Sequence, residues 1–171
     1  SQGSRWGVRG TEVLGGGYYD PILPMIPTND KLGQLEKMTT HLRVRFETRP
    51  RGCWLAECVW EPSLAFVLRA SGLDYTFLDE SQFRRAGAEG PQLLEPAIAE
   101  DQGKIVSVFP LATGLSPFTR GPAEALEALR GLAAPAGEAA EGSAARRPGR
   151  VVSILPDGSR GGPGAAWLEE F

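Results

Sequence analysis

The sequence predicts an α/β fold with mostly parallel strands, and three observations carry that reading. Short apolar, β-branched or aromatic segments alternate with stretches of helical spacing along most of the 171 residues. Pro62 and Pro122 stand where two of the helices start, and Gly72 and Gly131 stand where those two end. Carboxylates follow the apolar segments, at the strand ends where α/β sheets and barrels carry their chemistry.

The elements follow in order. Residues 5–17 run through Glu12-Val13-Leu14 into Gly15-Gly16-Gly17 and read as the end of a short strand opening into a loop. Tyr18-Tyr19-Asp20-Pro21 continues that loop. Leu32, Leu35, Met38, Leu42 and Phe46 recur in steps of three and four, which predicts an amphipathic helix over 29–47. Thr28 or Asn29 is its expected cap, and Arg49-Pro50-Arg51-Gly52 stops it. Cys53-Trp54-Leu55 reads as a short buried strand.

Pro62 then opens a helix over 62–71 bearing Leu64, Val67 and Leu68, with Gly72 as its cap. Tyr75-Thr76-Phe77-Leu78 is a strand by composition and delivers Asp79 and Glu80 at its end. Ile105–Phe109 is the next strand, and the connection from 79 to 105 is irregular. A helix over 122–131 starts at Pro122 and closes at Gly131. Residues 133–149 hold almost no apolar bulk and read as a flexible insert. Val151–Leu155 is a final strand, running into Pro156-Asp157-Gly158. Segments 53–57, 74–79, 105–109 and 151–155 are therefore expected to be adjacent parallel strands.

A hydrophobic fraction of 42% is enough to bury a core. A net charge of −3 and a pI near 5.3 argue against a nucleic-acid partner. No apolar run approaches the length of a membrane span. The chain opens on Ser1-Gln2-Gly3-Ser4 with neither Met nor an apolar leader, which suggests a segment of a longer protein. Cys53, Cys58 and His41 are too few for a metal site drawn from this chain, so no metal or cofactor is expected. Both cysteines read as small thiols of a reduced, cytoplasmic-type protein. His41 lies off the apolar stripe by one position and is assigned no role.

Glu12, Glu57, Asp79 and Asp157 lie at or just after strand ends in this reading. Acids gathered at one mouth suit glycosidic chemistry, which needs two carboxyl groups flanking one bond. Four blocks point the same way. Glu12 to Leu23 resembles the "VELLGGGYYEPIL" block of glycoside hydrolase family 57, and Trp54 to Pro62 resembles its "WLAERVWEP". Tyr75 to Phe83 is similar to its "YTVLDDWHF". Val151 to Gly158, with Trp167 to Phe171, is a weaker likeness of "VVTLADDGEKFG…GWLERFF".

The resemblance implies part of an incomplete seven-stranded (β/α) barrel, residues 1–171 supplying its middle strands. The rest of that barrel would be the partner, and the segment alone would expose unpaired edges and be poorly stable. It implies a retaining hydrolase or 4-α-glucanotransferase acting on an α-glucan or maltooligosaccharide. Glu57 takes the nucleophile position and Asp157 the general acid/base position, although Asp157-Gly158 is also an ordinary turn dipeptide. Glu12, Gly16, Tyr18, Trp54, Trp60, Asp79 and Glu80 fall where the family binds substrate. Three positions depart from the pattern: Cys58 replaces an arginine, Gln82 a histidine and Ser159 a glutamate. Those departures keep open a second reading, a glucan-binding paralogue that lost the chemistry. A carbohydrate deacetylase is a third, disfavoured by the single histidine.

Overall fold

The computed structural model describes residues 12–115, 121–133 and 150–155. Thr28–Phe46 forms helix α1, and its packed face is the one the spacing predicts: Leu35 and Leu42 are buried, with Leu32, Met38 and Phe46 partly covered beside them. The expected side-chain cap is not made. Pro27 occupies the N-cap position, its fixed φ already suited to helix entry, and Glu47 ends the helix in the left-handed region at φ 56°.

Strand β1 is only Gly52–Cys53, shorter than the predicted 53–57. The chain turns away because the Trp54 N–H donates to the Gly15 carbonyl at 2.8 Å and Ala56–Cys58 then forms a 3-10 turn. Helix α2 spans Leu64–Ala70, with Leu64, Ala65, Val67 and Leu68 buried. Pro62 lies in the turn ahead of it, and Gly72 follows its end at φ 80°, a conformation that favours glycine. Strand β2 is Tyr75–Asp79, helix α3 Glu80–Arg85, strand β3 Ala97–Asp101, strand β4 Lys104–Leu111 and helix α4 Pro122–Ala133.

The sheet order is β1-β2-β4-β3. β1 and β2 run parallel, with Gly52 opposite Tyr75 and Cys53 opposite Thr76, and the buried Thr76 hydroxyl donates to the Cys53 carbonyl at 2.9 Å. The fold is thus α/β with a mixed, mostly parallel four-stranded sheet. Two predicted features are corrected. The stretch between 79 and 105 holds α3 and β3, and β3 pairs antiparallel with β4 through a two-residue loop, Gln102-Gly103, at φ 49° and 75°. Segment 151–155 is no full strand: it meets the sheet at one parallel bridge, Ser153 to Leu111.

The chain divides into two compact units, residues 1–78 with 97–109 and residues 79–96 with 110–171. In the first, α1 packs on α2 and α2 on β3, around Leu35, Leu64, Leu68, Leu73 and Val106. Leu64 and Leu68 are wholly buried, each contributing about 1.5–3 kcal/mol of apolar transfer. In the second, Phe83, Leu93, Leu94, Leu111, Leu115 and Ala125 are buried.

Candidate active site

β1 leads through the buried Leu55 into the turn that carries Glu57. The N–H of Cys58 donates to the Leu55 carbonyl at 3.0 Å, and that of Val59 to the Ala56 carbonyl at 3.2 Å. Glu57 sits at φ 54°, ψ 18°, and Cys58 at φ 51°. Left-handed backbone at a residue with a side chain costs roughly 1–3 kcal/mol and persists where its surroundings over-determine it. The Glu57 carboxylate is exposed, while Trp54 and Trp60 are half-buried and leave part of each indole to solvent. An ionisable carboxylate lifted off the end of a buried strand, with aromatic surface nearby in the chain, can meet a sugar ring.

Next to this turn lies a contact that the sequence reading missed. Lys31 of α1 is buried, its side chain only 6% exposed, and its Nζ donates to Glu61 at 2.5 Å. Ser63 Oγ donates to the same Glu61 oxygen at 2.6 Å. The Lys31 hydrogen bond, then that of Ser63, holds the Glu61 carboxyl below its ordinary value. The missed signal was positional: Lys31 stands four residues before Leu35, squarely on the apolar stripe.

The glycine triplet is explained by the protein's own close packing, against two proline rings and one carbonyl. A Cβ on Gly17 would lie 2.6 Å from Pro21 Cδ, one on Gly16 3.1 Å from the Trp54 carbonyl oxygen, and one on Gly15 3.2 Å from Pro50. All three glycines are buried. The two tyrosines that follow lie on α1: Tyr18 meets His41 edge-on at 5.6 Å, and Lys37 Nζ stands 4.5 Å from the Tyr18 ring while donating to the Tyr19 hydroxyl at 2.6 Å. His41 is exposed.

Glu12 does not share a rim with Glu57. Gly15 bridges in parallel to Cys53, so Glu12 lies at the strand entry and Glu57 beyond the exit. Its carboxylate accepts the Arg51 N–H at 3.3 Å and the Tyr75 hydroxyl. Arg51 Nε in turn donates to Asp74 at 2.8 Å, and the Arg69 guanidinium binds the same aspartate. Glu12 therefore belongs to a charged network at the N-terminal ends of β1 and β2.

In the second unit, Asp79 caps α3 by accepting the Ser81 N–H at 2.8 Å, and Glu80 pairs with Arg84 at 3.7 Å. Glu80 and Arg84 also line a depression of about 600 Å³ with Leu93, Leu94, Ala112 and Leu115. Asp157 and Ser159 lie outside the described residues. Among the described residues, no cluster of three His, Cys, Asp or Glu side chains is placed to hold a metal, and no helix is long and apolar enough to cross a membrane. Cys53 and Cys58 form no disulfide, and burial pushes the Cys53 thiol up to about 12.

Residues 9–130 match the family model for Glycosyl hydrolase family 57. The chain belongs to that family. Proteins it is similar to include a 4-alpha-glucanotransferase of Thermococcus litoralis, 31% identical over 94% of this chain and 24% of its own length. Alpha-amylase 1 of Dictyoglomus thermophilum is 38% identical over 61% of this chain and 15% of its own. The chain thus spans a quarter or less of these two relatives. The crystal structure of the Thermococcus litoralis 4-alpha-glucanotransferase superposes with a TM-score of 0.69 at 29% identity, covering 84% of this chain and 21% of that one.

Proposed function

We propose that the complete protein acts on α-1,4-glucans, as a hydrolase or a 4-α-glucanotransferase, by retaining double displacement. The observation that carries this reading is the exposed Glu57 carboxylate, held on a left-handed turn at the end of a buried strand. Glu57 attacks the anomeric carbon while Asp157 protonates the departing glycosidic oxygen, leaving a glycosyl ester on Glu57. Asp157 then takes the proton of an incoming hydroxyl, whose oxygen attacks the same carbon and releases Glu57. Water as acceptor gives hydrolysis, and a sugar hydroxyl gives transfer. The mechanism calls for the two carboxyls about 5–5.5 Å apart.

Tyr18, Trp54, Trp60, Asp79, Glu80 and the backbone at Gly16 are the proposed sugar contacts. Glu12 is left out, because its carboxylate is committed to Arg51 and Tyr75. The partners in this reading are the α-glucan and the remainder of the barrel. The setting is reducing and cytoplasmic, which suits the buried thiol of Cys53. Glu57→Gln keeps the shape and removes the attacking charge, so turnover of an α-1,4-glucan should fall by several orders of magnitude. Near-normal turnover in that variant overturns the proposal.

A second reading, a glucan-binding paralogue without turnover, draws on Cys58 standing beside Glu57 where the family has an arginine. It wins if the unmodified protein binds maltooligosaccharides and releases no product.

A further inference from the structure

The turn that carries Glu57 is tied down at both ends. On the upstream side, the Trp54 N–H is bonded to the Gly15 carbonyl at 2.8 Å and Leu55 is buried. On the downstream side, the Glu61 carboxylate accepts from Lys31 Nζ and Ser63 Oγ. The Glu61 carbonyl accepts the N–H of Leu64 at 3.0 Å, and Leu64 is wholly buried at the head of α2. Between these ties stand two successive left-handed residues with side chains, Glu57 and Cys58. Such backbone relaxes unless its neighbours hold it. Lys31 comes from a separate element, α1, and its charge is withdrawn from water, so leaving Glu61 would strand a buried cation.

We infer that Lys31 is a positioning residue for Glu57, acting through Glu61 to fix the geometry of the turn between them. Its kinetic consequence rests on the reading of Glu57 as nucleophile, whereas the clamp itself concerns only the turn. Displacing an attacking group by an ångström costs about 10²-fold in rate. In the complete protein, Lys31→Met should therefore lower kcat on an α-1,4-glucan by about 10²-fold, with KM nearly unchanged. Lys31→Arg keeps the cation and should recover most of the loss.

A second readout needs no activity. Cys58 lies inside the turn and is partly exposed, while Cys53 is wholly buried. Site-resolved alkylation with iodoacetamide should label Cys58 several-fold faster in Lys31→Met than in the wild type, and at the wild-type rate in Lys31→Arg. Because losing one member of the pair can destabilise the single variant, Lys31→Met/Glu61→Leu replaces both members with apolar groups. The double variant should melt as the wild type does, yet show fast Cys58 labelling and low kcat. Wild-type labelling and kcat in the folded double variant overturn the inference, as does a fall in kcat with labelling unchanged. An active Glu57→Gln variant sinks the nucleophile reading alone, and Cys58 labelling still decides the clamp.

Discussion

Tyr75 lies across Gly52, so closely that a Cβ on the glycine would stand 2.4 Å from two carbons of the ring. The two residues face each other in the parallel pair of β1 and β2, and the same Cβ would stand 2.6 Å from Leu14 Cδ2. Glycine here is a requirement of packing, since its φ is not among the left-handed ones. The ring also meets Phe77 and Phe109 edge-on, each at 5.7 Å, and its hydroxyl reaches Glu12.

Gly52→Ala should accordingly destabilise the protein by about 1–3 kcal/mol, the usual cost of overpacking. The urea midpoint should fall with the slope unchanged. In a Tyr75→Ala background the same substitution should cost less, because the ring is gone and only the end of the flexible Leu14 side chain must give way. Equal costs in the two backgrounds would show that the ring is not the obstacle.

Tyr75 also makes stability depend on alkaline pH. Burial first, and the hydrogen bond to Glu12 second, push its hydroxyl from 10.0 up to about 12. A group whose folded value is raised holds its proton longer in the folded state, so its contribution is complete below 10.0 and is lost as pH rises toward 12. Wild type should lose stability across that window more steeply than Tyr75→Phe, measured by urea unfolding at each pH.

Glu61 gives the opposite sign. The hydrogen bond from Lys31, followed by that from Ser63, lowers its carboxyl from 4.5, so its contribution is present above that value and is lost as pH falls through the folded one. The stability advantage of wild type over Glu61→Gln should therefore shrink on acidification. An advantage that stays constant below pH 4.5 would exclude the carboxylate as its source.

Asp157→Asn in the complete protein tests the other half of the proposed chemistry. Both steps should slow, but a substrate with a good leaving group should rescue the first, because that group departs without protonation. Azide should rescue the second and yield a glycosyl azide of retained configuration, detected by NMR. Azide without effect, or an inverted product, would remove Asp157 from the acid/base role.

The legible parts of the fold were those with local periodicity. Leu35 and Leu42 declared the packed face of α1, and Leu64, Val67 and Leu68 that of α2. Strand β3 was hidden because Ala97-Ile98-Ala99-Glu100-Asp101 is rich in residues that strands disfavour, and its turn is Gln-Gly in place of Asn-Gly. Glu12 was placed at the wrong end because the rim a residue occupies depends on register, and only the bridge from Gly15 to Cys53 fixes that. Lys31 was passed over because a charged side chain on an apolar stripe reads as an interruption until its partner, thirty positions away in Glu61, is seen.

The Gln102-Gly103 loop bears on the order in which the sheet assembles. Both residues take left-handed backbone, the geometry whose twist matches a two-stranded ribbon, so Asp101 and Lys104 meet with almost no chain to close. Ribbons of this kind zip up in about 1–10 μs. Gly52 and Tyr75, by contrast, meet only after the whole of α2 has been threaded between them. The antiparallel corner should thus be the early kinetic event, and the parallel pair that leads into Glu57 should be among the last to dock. A destabilised Gly103→Val hairpin would then slow refolding, while Gly52→Ala would chiefly hasten unfolding.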